Sequence, residues 1–331
     1  MIKKAILLLC ALSMLLGCVC APAAADTVDG EEAQPRELKL LFFGNSFTFS
    51  TLGYLPQLLE EALPGVNVTM GITYTGSCSF STHVDLFEKN KPYTLYAEYK
   101  SENGRWNSYE ELLSAKMILL RDTWDIIGLQ QSVENLHDFN GLEQFADLIS
   151  SWIDYPVAFV YNMAQARHAN DVSFLSAAYP DLPDGEARSD AHFASIADYA
   201  RRAKEGVIIC DVLPCATAVQ NLRTVPAIKE LGNNGYLAYD EGGHLHHGLG
   251  MLAASYAACY KILEIIGALP KLYGLQFMPS DNYIQQIHFV GNGSACVGIT
   301  PENMLLAKKC AMLACKKPFE LSDCSSLPAG D

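Results

Sequence analysis

The sequence predicts a three-layer α/β/α sandwich around a mainly parallel, five-stranded sheet. Two observations carry the prediction. Five short apolar runs, at 38–43, 66–74, 124–129, 157–161 and 207–212, are continuous rather than alternating, the pattern of strands buried on both faces. Amphipathic stretches at 52–63, 110–120, 142–153 and 191–203 separate them, and a repeating strand–helix order builds parallel sheets covered by helices.

Before the first strand lies a leader. Met1-Ile2-Lys3-Lys4 opens it, an apolar stretch fills 5–20, and Ala21-Pro22-Ala23-Ala24-Ala25 closes it. A basic start, a short apolar core and a small-residue exit describe a secretory signal over residues 1–25. Gly17 and that exit argue against a retained membrane span, which needs about 20 apolar residues. Cleavage after Ala25 fits an A-x-A site. Leu15-Leu16-Gly17-Cys18 offers the rival reading, a lipobox with Cys18 as the lipidated first residue. Either route exports the chain, as a secreted, periplasmic or cell-surface protein.

A polar linker spans 26–37, and residues 38–331 make a single domain. The formal charge of the whole chain is −14, and the leader takes away two lysines and no acids, so the remainder carries −16. Nucleic acid and anionic membranes recruit basic surfaces, so neither is an expected partner. Of eleven cysteines, Cys10, Cys18 and Cys20 belong to the leader. The other eight form no C-x-x-C zinc pattern and no compact disulfide framework. Cys310 and Cys315 fall five apart on one helix, poor geometry for a mutual bond. One bridge near the C-terminus is compatible with the spacing, and the sequence does not name its members.

An insertion from Cys78 to Tyr109 interrupts the strand–helix alternation. Within it residues 93–100 alternate apolar and polar, and Ser101-Glu102-Asn103-Gly104 reads as a hairpin turn before Arg105-Trp106. Such an aromatic hairpin either caps the active site and stacks on a sugar, or is a packed surface ornament. Residues 248–266 form a helix that is apolar nearly all round, hence buried, ending at Gly267. A further helix over 297–317 opens at Thr300-Pro301-Glu302, an N-cap with proline at the first helical position.

Two short strings carry the chemistry. Gly44-Asn45-Ser46-Phe47 stands at the exit of the first strand, and Asp240-Glu241-Gly242-Gly243-His244-Leu245 stands just before the buried helix. Reactive groups of such sheets gather at the carboxyl ends of the strands. Ser46 is placed as a nucleophile opening a helix, with its own N–H facing a developing oxyanion. An imidazole, with an ordinary pKa near ~6.5, suits the base that activates a serine hydroxyl. His244 takes that role, and Glu241 or Asp240 would hold its ring. His244, His246 and His247 cluster, but no H-E-x-x-H set accompanies them, so no metal is expected. No nucleotide motif is present, and no cofactor is called for.

These strings resemble the SGNH (GDSL-like) hydrolases, from residue 38 to about residue 267. Gly44-Asn45-Ser46-Phe47 is similar to that family's Gly-Asp-Ser-hydrophobic block, with asparagine for aspartate. Thr75-Gly76-Ser77-Cys78-Ser79 occupies the place of the second block, making Gly76 an oxyanion donor. Gln130 stands where the third block has asparagine, with Gln131 as second choice. His244-Leu245 matches the last block, although Glu241 replaces the usual aspartate three residues before. The resemblance implies a flavodoxin-like fold and ester hydrolysis through an acyl-serine, with an oxyanion hole of Ser46, Gly76 and Gln130. The substrate it suggests is a small-molecule or polysaccharide acyl ester, with O-acetyl groups on carbohydrate ranked first. A lipid or phospholipid esterase, a non-catalytic carbohydrate-binding relative and a sugar acyltransferase are the alternatives.

Overall fold

The computed structural model describes residues 36–109, 111–169, 171–206, 208–230, 244–245, 247–268, 274–275, 277 and 299–327. The leader, Cys18 and the linker up to residue 35 lie outside the described residues.

The first apolar run becomes β1 (Arg36–Phe43), flanked by β2 (Val66–Tyr74) and by β5 (Ile126–Leu129). Leu40 sits opposite Met70 on one side and Ile126 on the other. Outside β5 come β6 (Ala158–Asn162) and then β7 (Ile209–Leu213), and all of these pairings are parallel. Successive side chains of β1 enter different cores. Leu40 and Phe42 pack on one face, Leu41 and Phe43 on the other, which is why the run shows no alternation.

The expected five-stranded, mainly parallel sheet is corrected by the structure. The sheet has seven strands in the order β4-β3-β2-β1-β5-β6-β7 and is mixed. The inserted segment supplies β3 (Leu95–Lys100) and β4 (Arg105–Tyr109), paired antiparallel with β2 and with each other. Without them β2 would present a row of unpaired backbone groups, and edge pairing removes that cost. The turn is closed by Gly104 at φ +59, a left-handed position that glycine adopts without strain.

The hairpin is therefore neither a cap over the site nor a surface ornament. Tyr99 and Trp106 are buried in one core and Tyr96 in the other, so these rings are not free to stack on a sugar. Glu98 accepts from the Tyr96 hydroxyl at 2.9 Å and the Tyr109 hydroxyl at 2.7 Å.

Helices cover both faces. On the Leu40 side lie α1 (Ser46–Leu52), α2 (Leu55–Ala62), α8 (Cys215–Arg223), α9 (Pro226–Glu230), α10 (Leu249–Ile265) and α11 (Pro301–Lys316). The opposite side carries α3 (Phe80–Glu88), α4 (Ala115–Leu119), α5 (Phe139–Trp152) and α7 (Glu186–Glu205). The short α6 (Val172–Ala178) precedes α7. The expected helix over 52–63 is α2, which begins after a break at Gly53-Tyr54 with Pro56 in its first turn, and α1 precedes it. Helix α11 is capped as read: the Thr300 side chain accepts from the Asn303 N–H. Among the described residues no helix is long and apolar enough to cross a membrane.

The break between α1 and α2 is sealed by α10. Ser255, fully buried in an apolar helix, donates its hydroxyl to the Thr51 carbonyl at 3.0 Å and accepts the Tyr54 N–H at 3.3 Å. A buried backbone group left without a partner costs about 1–3 kcal/mol. Ser255→Ala is accordingly expected to lower unfolding free energy by about 1–3 kcal/mol in urea titration. An unchanged midpoint would show that the seal does not matter.

Candidate active site

Helix α1 is almost wholly buried, from Phe47 to Leu52, although half of its side chains carry hydroxyls. Each buried hydroxyl is met. Thr48 donates to Gln130 Oε1 at 2.9 Å, the Asn162 amide donates to Thr51 Oγ1 at 3.1 Å, and the Gln165 amide donates to Ser50 Oγ at 3.3 Å. Gln130 follows β5, Asn162 ends β6 and Gln165 follows it, so amides at the carboxyl ends of two strands hold α1 in place. Asn45 caps the helix, its side-chain oxygen accepting the Phe47 N–H at 3.0 Å. Gly44 allows the approach: a Cβ there would lie 2.1 Å from Thr48 Oγ1 and 2.8 Å from Gln130 Oε1.

Ser46 occupies the first helical position, where no preceding turn can accept its N–H. Its hydroxyl oxygen lies 2.6 Å from Nε2 of His244. Both side chains are half-buried. The loop bearing His244 is anchored by Leu245 and Leu249, which are buried in the core at the head of α10. The two sequence strings thus meet at hydrogen-bond distance. Glu241 and Asp240, the two candidates for the acid, lie outside the described residues, as does His246. His247 is buried beside the helix start. Among the described residues no group of three metal-ligating side chains is assembled.

The oxyanion candidates fare differently. Gly76 is exposed in the loop after β2, with open space where a Cβ would stand except for the Tyr74 hydroxyl at 3.5 Å. Gln130 is fully buried, and its amide is engaged within the loop. Its oxygen accepts from the Asn45 N–H at 3.3 Å and from Thr48, and its nitrogen donates to the Gln131 carbonyl. Gln130 braces the loop that carries Ser46 in this arrangement, and its amide nitrogen keeps one further N–H. Gln131 is structural: it accepts from the N–H groups of Phe80 and Ser132 and donates to the Asp138 carbonyl.

Two residues of the site were not singled out from the sequence. The Phe47 ring stacks on the His244 imidazole, centroids 4.9 Å apart and planes 19° from parallel. The Arg167 guanidinium stands 5.5 Å from the Phe47 ring and 5.2 Å from Phe174. Arg167 is held by ion pairs to Glu134 and, at 3.3 Å, to Asp171, while Ser132 donates to Glu134. For Phe47 the only signal was its place directly after Ser46, and helical spacing alone would turn it away from that residue. For Arg167 the signal was a cation just beyond a buried strand. A cleft of about 450 Å³ including its open mouth is lined by His168, Glu186, Gln220 and Arg223, and includes neither Ser46 nor His244.

The backbone of Arg167 is fixed by a buried imidazole. His192 Nδ1 accepts the Arg167 N–H at 3.1 Å, and Nε2 donates to the Val133 carbonyl at 3.1 Å. This pattern needs the neutral ring, and burial, the largest influence, lowers His192 to about 4. Burial likewise lowers His168 to about 4 and the fully enclosed His83 to about 3. Unfolded, each ring takes up its proton near ~6.5. Protons therefore favour the unfolded chain below that value. Stability should be full above about pH 6.5 and should fall as pH drops toward 4, by about 1.4 kcal/mol per pH unit for each ring. Ring ¹⁵N shifts of His192 are expected to stay those of a neutral, Nε2-protonated imidazole down to about pH 4. Titration near its ordinary value would contradict the assignment.

Comparison with known proteins corrects the resemblance to the SGNH hydrolases. The family whose model matches is DUF4886, described as a domain of unknown function, over residues 39–268. No curated protein matches the chain. A solved structure, a DUF4886 family protein from Bacteroides uniformis ATCC 8492, is similar with a TM-score of 0.69 and 20% identity, covering 87% of this chain and 98% of that one. At that identity the likeness speaks to the fold alone. Nothing in these matches points to the SGNH hydrolases, and the sheet is mixed. The family model spans well over half of the sequence, and the chain belongs to the DUF4886 family.

Proposed function

We propose that the chain is an exported serine esterase that hydrolyses acyl esters through an acyl-serine intermediate. The observation that carries this reading is the 2.6 Å contact between Ser46 Oγ and His244 Nε2, made by residues far apart in sequence. A serine hydroxyl is a weak nucleophile until a base within hydrogen-bond reach removes its proton. In the proposed cycle Ser46 attacks the ester carbonyl as His244 accepts that proton. The tetrahedral oxyanion forms toward the N–H of Ser46 and that of Gly76, with the second amide N–H of Gln130 as a further donor. His244 then protonates the leaving alcohol and activates the water that releases the acid. Glu241 or Asp240 orients the imidazole, and Phe47 limits its rotation by stacking, an effect of about 0.5–1.5 kcal/mol.

The preferred substrate class is short acyl esters, above all O-acetyl groups on carbohydrate. Support comes from the leader and from the net charge of −14, which disfavours anionic lipid surfaces. The buried hairpin aromatics no longer contribute to that case. A lipid esterase is the second reading within the same chemistry.

A serine-directed fluorophosphonate should label the protein stoichiometrically, and Ser46→Ala should abolish labelling while leaving the fold intact by circular dichroism. His244→Ala should reduce turnover by roughly 10³-fold or more. With active protein, acetylated xylan or acetyl-sugars should be hydrolysed faster than long-chain esters. The reverse preference would favour the lipid esterase. Labelling that survives Ser46→Ala would overturn the nucleophile assignment, and an unlabelled wild-type chain would point to a carbohydrate-binding relative without turnover.

A further inference from the structure

Cys310 lies within α11, and Cys324 lies in the C-terminal segment that turns back after it. That segment is strapped to α8. Asn221 donates to the Cys310 carbonyl at 3.2 Å and accepts the Ser322 N–H at 2.7 Å, so one side chain holds both stretches together. Thr224 accepts the Cys324 N–H at 2.8 Å, and Thr217 donates to the Pro318 carbonyl. Both thiols are fully buried in the same core and lie close enough to interact with each other. The neighbouring thiols are directed elsewhere: Cys215 donates to the Ala254 carbonyl at 3.4 Å and Cys315 to the Ala257 carbonyl at 3.5 Å. All seven described cysteines are free thiols in this structure.

We propose that Cys310 and Cys324 are the partners of a disulfide that forms as the chain folds in oxidising surroundings. The two S–H bonds are lost and one S–S bond is made. The two protons and two electrons released convert the disulfide of an external thiol oxidant, such as oxidised glutathione, to two thiols. Because both sulfurs are covered once the segment docks, bond formation belongs to folding and not to the finished fold. The bridge closes a loop of about 15 residues, a length for which cross-linking is strongly stabilising. It staples the C-terminal segment to α11, which packs on α10 and α8. The inference is independent of the esterase reading.

The test is to refold the reduced, denatured full chain in a mixture of reduced and oxidised glutathione. The product is then alkylated in denaturant without reductant and mapped by mass spectrometry. One linked peptide joining Cys310 to Cys324 is expected, with Cys78, Cys210, Cys215, Cys259 and Cys315 alkylated. Reduction, or Cys324→Ser, should lower the thermal midpoint by roughly 5 °C. Alkylation of both Cys310 and Cys324, or a link from either to Cys296 or any other cysteine, would overturn the proposal.

Discussion

Ser255 holds the two halves of the candidate site in register. It is a hydroxyl inside a helix that is apolar nearly all round, and burying it unpaired would cost free energy. Its two bonds go to Thr51 and Tyr54, the backbone groups left over where α1 stops and α2 begins. The break in the helix and the polar atom in α10 therefore satisfy each other. With α10 locked on α1, the loop that enters α10 has few places to go, and Leu245 fixes it further by burial. His244 arrives over Ser46 as a consequence of that packing.

The same logic governs the far side of α1. A helix with Thr48, Ser50 and Thr51 all buried would not be stable on hydrophobic burial alone. Gln130, Asn162 and Gln165 supply the partners, and each stands at or just beyond the carboxyl end of a strand. Helix α1, which Ser46 opens, is thus positioned by the sheet through amides and by α10 through a hydroxyl. Such hydrogen-bonded polar layers specify one arrangement where apolar packing would tolerate several. The stack of His244, Phe47 and Arg167 continues this positioning into the half-buried region, where Glu134, Asp171 and His192 hold the arginine.

Much of the site could be read from residue types. Ser46 and His244 stood out because each follows or precedes a long buried element and lies in a short, glycine-rich string. Their meeting at 2.6 Å is a fact of folding that no string contains. The hairpin was legible as a hairpin, because Asn103-Gly104 marks its turn, but not as sheet edge. An alternating aromatic pattern fits a cap, an ornament or an edge strand equally, and only pairing with Thr69 to Tyr74 decides. Helix α8 was missed because its buried residues include Thr217, Gln220, Asn221 and Arg223, polar types that conceal an inward face. Gln130 was read as a donor to substrate, yet the same amide geometry suits a brace, and the neighbouring Thr48 and Asn45 take its oxygen. The family resemblance rested on strings of two to six residues, too short to fix a family.

The claim at the centre of this account is that the Ser46 oxygen becomes covalently acylated. Rapid acid quenching of the protein during turnover of an acetyl ester, followed by peptide mass spectrometry, tests it most directly. The account predicts an acetyl group on the Ser46 peptide that accumulates when His244 is replaced by a residue unable to activate water and the acyl donor is a highly reactive ester. Acetyl groups found only on other side chains, or turnover that proceeds with the Ser46 peptide unmodified at every quench time, would contradict it.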